Sequence, residues 1–195
     1  MLLELALVIP FLTTLCLATL DLGLAWRADL NLSNSVRTAA RVAVAKGNAS
    51  DADHALLVSL GSALGRITPA QVRTVVVFRS TDPDGAVPAN CLSPSVRAAG
   101  GSSADACNVY TSVELVAALA SPSVPPAGFT GSCGSRRDRF WCPTSRDNEA
   151  GLGGAGLDYL GVHLEVDHAT VTKVFGPTIT IDDTAVMRIE PEAGT

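Results

Sequence analysis

Charge is scarce in this chain. Asp, Glu, Lys and Arg make up 17% of its 195 residues, well below the usual quarter. The net charge of −5 leaves no overall basic field to draw in a phosphate backbone or an anionic lipid surface. Hydrophobic residues reach 47%, which excludes a disordered polymer. Lysine is rare, two against twelve arginines; this is a bias of genome composition and carries no functional information. The 17 glycines and 11 prolines follow no period, so a collagen-like helix is excluded. No segment repeats at a spacing of about 20–50 residues, which argues against a solenoid.

Catalytic signatures are missing too. The sequence holds no HExxH, GxSxG or Walker A pattern, and no glycine-rich dinucleotide motif in the right context. Its three histidines are His54, His163 and His168. His54 falls on what reads as a surface helix. The odd spacing of the other two puts them on opposite faces of one strand, where they do not share a metal. GLGGAG at 151–156 resembles a phosphate loop in composition only; it follows no strand and reads as a flexible linker. Asp182 and Asp183 read as a solvated pair. The expectation is a protein that is not an enzyme, takes no cofactor or metal and binds no nucleic acid.

What is present begins at the N-terminus with MLLELALVIPFLTTLCLATLDLGLAW. No charge occurs from Leu5 to Leu20. With its flanks this run approaches the roughly 20 apolar residues that cross a bilayer, with Asp21, Trp26 and Arg27 near the headgroups. A cleaved signal peptide or a buried soluble helix fits less well, since the start is not basic and no A-x-A site is evident. Glu4 costs about 2.5–3.5 kcal/mol at mid-bilayer and less near the helix end. It is either wetted at the interface or reserved for a partner. Pro10 removes one helix hydrogen bond, which membrane helices tolerate.

Helix formers continue without proline to Gly47, a natural C-terminal stop. Leu32, Val36, Ala39, Ala40 and Ala43 make one apolar stripe. The small residues Ala39, Ala40, Ala43 and Ala45 fit either another helix or the protein's own sheet. The pattern divides the chain into a transmembrane or filament-core helix (1–26), a stalk helix (27–47) and an extracytoplasmic domain (48–195). In that domain Ser50 is expected to cap a second helix running to about Arg66, with Ala55, Leu56, Ser59, Leu60, Ala63 and Leu64 facing inward. The segment 71–80 is rich in β-branched residues and reads as a strand. Thr111 and Glu114 form a capping box for a short helix. Leu160, Val162, Leu164 and Val166 alternate with polar neighbours. So do Ile179, Ile181, Ala185, Met187 and Ile189, and both segments read as strands. The fold class is α+β: a long N-terminal membrane and stalk helix packed on a small antiparallel sheet of three to four strands, with disulfide-tied loops.

Cys16 lies in the apolar run. Cys91, Cys107, Cys133 and Cys142 fall in two long loop regions, 81–108 and 120–156. Four cysteines allow three pairings. The local pairing, Cys91 with Cys107 and Cys133 with Cys142, ties each loop and contributes about 2–3 kcal/mol per bridge on the chain-entropy model. The spacings do not suit zinc. Disulfides imply an oxidising compartment outside the plasma membrane. The positive-inside rule expects Lys or Arg before the anchor; here Arg27, Arg37 and Arg41 follow it. Arg136, Arg137, Arg139, Phe140 and Trp141 mix cations with aromatics. They read either as a surface contact patch or as a disulfide-tied loop with a stacked arginine.

The N-terminal pattern, with Glu4, Ala6, Leu7, Pro10, Asp21 and Gly23 followed by Ala39, Ala40 and Arg41, resembles the TadE-like family. These are minor pilins, or pseudopilins, of the tight-adherence (Flp, type IVc) pilus system. The segments 160–176 and 184–191 also look like the closing hairpin of such proteins. The resemblance implies a non-catalytic protein that primes or supports pilus assembly. Its partners would be other pilins and the inner-membrane assembly platform, with a prepilin peptidase where a basic leader exists. Glu4, Pro10 and Asp21 become the assembly contacts, because a pilin glutamate can meet the free amine of a neighbouring subunit. In the family's usual pattern the mature glutamate is at position five behind a leader; here it is at position four behind a methionine, so either the true start lies elsewhere or this is a trimmed form. The implied location is the plasma membrane, single-pass with the domain outside, or the extracellular pilus. The alternative is a membrane-anchored adhesin or binding module working through the large disulfide-tied loops.

Overall fold

The computed structural model describes residues 2–148 and 156–191, with side chains from Ala6 onward. The chain is α+β. Helix α1 (Leu2–Lys46) is followed by α2 (Ala52–Ala63), β1 (Val72–Ser80), α3 (Pro94–Ala99), β2 (Gly101–Ser102), β3 (Cys107–Tyr110), α4 (Ser112–Ala120), β4 (Tyr159–Ala169) and β5 (Thr178–Arg188). The strands form one antiparallel sheet in the order β2-β3-β1-β4-β5. The sheet thus has five strands rather than three or four. The extra pair, β2 and β3, lies in a stretch that reads as irregular, because both are short and carry Gly, Ser, Cys and Asn.

Helix α1 runs unbroken through the segments read as anchor and stalk. It stops at Gly47, whose φ of +56° suits glycine and whose N–H bonds back to the carbonyls of Ala43 and Val44. Its second half buries Leu32, Val36, Ala39, Ala40, Ala43 and Val44 completely or nearly so. The partners of this stripe are α2 and the β4–β5 face of the sheet. The small residues Ala39, Ala40 and Ala43 therefore serve close packing within the chain, while Ala45 is exposed.

The helix-covered face of the sheet carries Val75, Val77, Tyr110, Leu160, Val162, Leu164 and Val166, with Ala185 and Ile189 from the region of β5. The opposite face has a smaller core of Val76, Phe78, Cys91, Cys107 and Val109. Both sheet faces are therefore covered around β1, which explains its uninterrupted run of Val75, Val76, Val77 and Phe78. Three further expectations change. Gly161 and His163 on β4 are buried rather than solvent-facing, because the loop held by the Cys91–Cys107 disulfide lies over them. In α2 the cap position is Asp51 rather than Ser50. His54 is buried there, not on the surface: its Nε2 meets the Ser121 carbonyl oxygen at 3.1 Å and its ring lies against Phe129. Docking of α4 and the following loop onto α2 covers that face. Helix α4 has the reciprocal Thr111–Glu114 capping box.

Gly161 sits directly opposite Phe78 across β1 and β4. A Cβ at Gly161 would lie 2.2 Å from the tip of the Phe78 ring. The aromatic ring fills the space that the glycine leaves. Gly161→Ala is expected to destabilise the protein by about 1–3 kcal/mol, the usual cost of overpacking. Phe78→Leu should recover part of that loss when added to Gly161→Ala, a coupling that a denaturant-unfolding double-mutant cycle measures.

Candidate assembly interface

The first half of α1 leaves its apolar side chains outside the folded domain. Leu7, Val8, Ile9, Phe11, Leu12, Leu15, Leu17, Leu20 and Leu22 are all exposed. The helix from Ala6 is long and apolar enough to cross a membrane. Its threonine hydroxyls are satisfied internally. The Thr13 hydroxyl donates to the carbonyls of Ile9 and Pro10, Thr14 to Pro10, and Thr19 to Cys16. Such back-bonding removes the desolvation cost that free hydroxyls would carry in lipid. Pro10 lies within the helix, which stays α-helical on both sides of it. Cys16 is an exposed free thiol. Glu4 lies outside the residues whose side chains are described, as does most of the GLGGAG segment.

Asp21 is engaged within its own chain. Its carboxylate is 2% exposed and accepts hydrogen bonds from three donors on the loop between β4 and β5. These are the Val171 N–H at 3.0 Å, the Thr172 N–H at 3.3 Å and the Thr172 hydroxyl. That loop is a closed turn. Thr170 N–H bonds to the Pro177 carbonyl and Gly176 N–H to that of Lys173, with Lys173 at φ +60° and Gly176 at φ +97°. A carboxylate that reads from sequence as a headgroup or assembly contact is thus the clasp between helix and hairpin. The partner lies 150 residues away in the chain, and no local pattern announces it. At the other end of the hairpin, Glu190 N–H reaches the Val44 carbonyl at 3.3 Å.

The second cluster singled out in the sequence divides between interior and surface. Arg136 and Trp141 are buried and offer no surface contact. Arg136 grips Asp138 with two parallel hydrogen bonds, at 2.8 and 2.5 Å, and reaches the Ser50 carbonyl. Arg137 pairs with Glu114, and Arg139 is exposed over the half-buried Phe140 ring at 4.4 Å. A disulfide joins Cys133 to Cys142 around this segment.

Beneath it lies a charge network centred on Asp53, which is fully buried. Asp53 accepts from the Tyr110 hydroxyl at 2.6 Å, the Asn108 amide at 2.9 Å and the Arg146 guanidinium at 2.5 Å. Arg146 stacks on Trp141 at 4.4 Å, and its Nε and Nη1 meet no acceptor. Asn108 also exchanges two hydrogen bonds with the Trp141 backbone, imitating a neighbouring strand. Burial, reinforced by the Asp53 charge, pushes the Tyr110 phenol well above its ordinary range. Burial likewise raises the Asp138 carboxyl. Burial would raise Glu114 as well, but hydrogen bonds from Thr111 and Arg137 outweigh it and hold the carboxyl below its ordinary value. The charges neutralise one another and expose no reactive atom; their effect is to tie the 133–146 loop to α2 and β3. Sequence reading misses Asp53, Asn108 and Arg146, because each lies in a different element and carries no motif.

Asp53→Asn leaves the Arg146 charge buried without a counter-ion. It is expected to cost about 3–5 kcal/mol in denaturant unfolding, against about 1–3 kcal/mol for Tyr110→Phe. Asp21→Ala should release the hairpin tip without unfolding the sheet. The amides of Val171 and Thr172 should then lose protection in hydrogen exchange, while those of β1 keep theirs.

No curated protein and no solved structure matches this chain. The family model described as TadE-like protein matches residues 1–41, so the exposed apolar helix and most of its packed continuation carry the segment that marks a family associated with the Tad pilus.

Proposed function

We propose that the protein is a minor pilin, or pseudopilin, that primes or supports assembly of a Tad/Flp-type pilus and performs no catalysis. The observation that carries this reading is the exposed apolar surface of α1 from Leu7 to Leu22, within the TadE-like segment. A helix with such a surface partitions into lipid or packs against like helices. In this reading residues 1–26 form the transmembrane or filament-core helix, residues 27–47 the stalk and residues 48–195 an extracytoplasmic domain. The two disulfides suit the oxidising side of the plasma membrane. Partners are other pilins of the same pilus and the inner-membrane assembly platform, with a prepilin peptidase acting where a leader is present. Glu4 and Pro10, on the free half of α1, are the assembly contacts; Asp21 acts through the hairpin it holds.

Deletion of the gene in its host, followed by shearing and quantifying surface pili, tests the proposal. Pili should be lost and should return with the wild-type gene. Glu4→Ala, present at equal level in the membrane, should fail to restore them. Normal pili in the deletion strain would overturn the assembly role and move attention to an adhesive role for the loops.

A further inference from the structure

Outside α1, six large apolar side chains are exposed among the described residues, and three of them share one turn: Val171 (67%), Val174 (42%) and Phe175 (48%). This is the β4–β5 turn that Asp21 holds against α1. Its height relative to a bilayer is therefore fixed by the helix. The uncharged run from Leu5 to Leu20 rises about 24 Å at 1.5 Å per residue, short of the roughly 30 Å hydrocarbon core. Filling the difference takes about four more residues, which carries the boundary past Asp21 to near Leu24. The turn bonded to Asp21 then lies inside that boundary.

The turn is built for such a place. Five of its N–H groups, those of Thr170, Val171, Thr172, Val174 and Gly176, find acceptors within the chain, which lowers the cost of placing this backbone against lipid. Just beyond come Trp26, 70% exposed, and a groove lined by Leu24, Arg27, Arg66, Ile67 and His168. Arg27, Arg66 and Lys173 form no salt bridge with any described residue. An apolar tip followed by Trp26 and the unpaired Arg27 and Arg66 is the order of groups found across a membrane interface, and Lys173, within the turn itself, reaches the headgroups along its long stem.

We propose that the β4–β5 turn is a second membrane contact, inserted in the outer leaflet of a phospholipid bilayer beside α1, with Arg27, Arg66 and Lys173 meeting lipid phosphates. This rests on the membrane-anchored reading of α1 above. The test uses the full chain in a Cys16→Ser background with one added cysteine: Phe175→Cys or Val171→Cys at the tip, Leu12→Cys in the anchor, or Val124→Cys on an exposed loop remote from the tip. Each is labelled with an environment-sensitive fluorophore and reconstituted in phosphatidylcholine–phosphatidylglycerol vesicles. The two tip variants keep the Asp21 clasp, which uses backbone N–H groups and Thr172. Both tip labels should be quenched by lipid bearing a doxyl group just below its headgroup, and should be several-fold less accessible to iodide than the label at 124. A tip as open to iodide as position 124, while position 12 is quenched by lipid, overturns the insertion and leaves the anchor standing. A tip shielded from iodide yet untouched by doxyl lipid is covered by protein and also overturns it. Iodide access at position 12 overturns the anchor, and the insertion with it.

Discussion

Between Asp21 and Val44, α1 rises about 35 Å at 1.5 Å per residue. The eleven-residue strands β4 and β5 extend about 36 Å at some 3.3 Å per residue. Helix and hairpin therefore match end to end, and hydrogen bonds fasten both ends, Asp21 to the turn and Val44 to Glu190. The remaining elements are arranged around this pair. Strand β1 pairs with β4, β3 with β1, and α2 fills the angle between α1 and the sheet. Strong apolar burial along the α1 stripe is possible only because Ala39, Ala40 and Ala43 let the helix approach its neighbours closely.

The far side of the domain is organised differently. From Thr81 to Asn148 the regular elements are short. Order there comes from cross-links: the Cys91–Cys107 and Cys133–Cys142 bridges, the Asp53–Arg146 and Asp138–Arg136 pairs, and Asn108 acting as a surrogate strand for Trp141. Such buried charges are costly to assemble and more costly to break singly. Their physical role is to specify one arrangement of a chain segment whose hydrophobic pattern alone permits many.

How far the fold can be read from the residues follows the same division. The stripe from Leu32 to Ala43, the Gly47 stop, the Thr111–Glu114 capping box and the alternation in 160–166 and 179–189 are local signals, and each has its counterpart in the structure. Strand β3 was not legible, because CNVY becomes a strand through its pairing with β1 rather than through propensity. His54 looks like a surface residue until α4 docks. Asp21 looks like an interfacial charge until a turn 150 residues away supplies its donors. At the candidate interface the exposed apolar helix was legible, and the tip of the hairpin beside it was not.

Helix α1 has no break between its exposed and packed halves. A domain on a flexible linker can tumble independently of its anchor; this one cannot. Any rotation of the helix about its axis swings the sheet and its loops through the same angle, and any axial pull on the domain is delivered undamped to the apolar half. Neighbouring helices that settle into a packed array would therefore also dictate the azimuth at which each domain points, so the lateral packing of the helices and the pattern of the outer surface are one geometric variable.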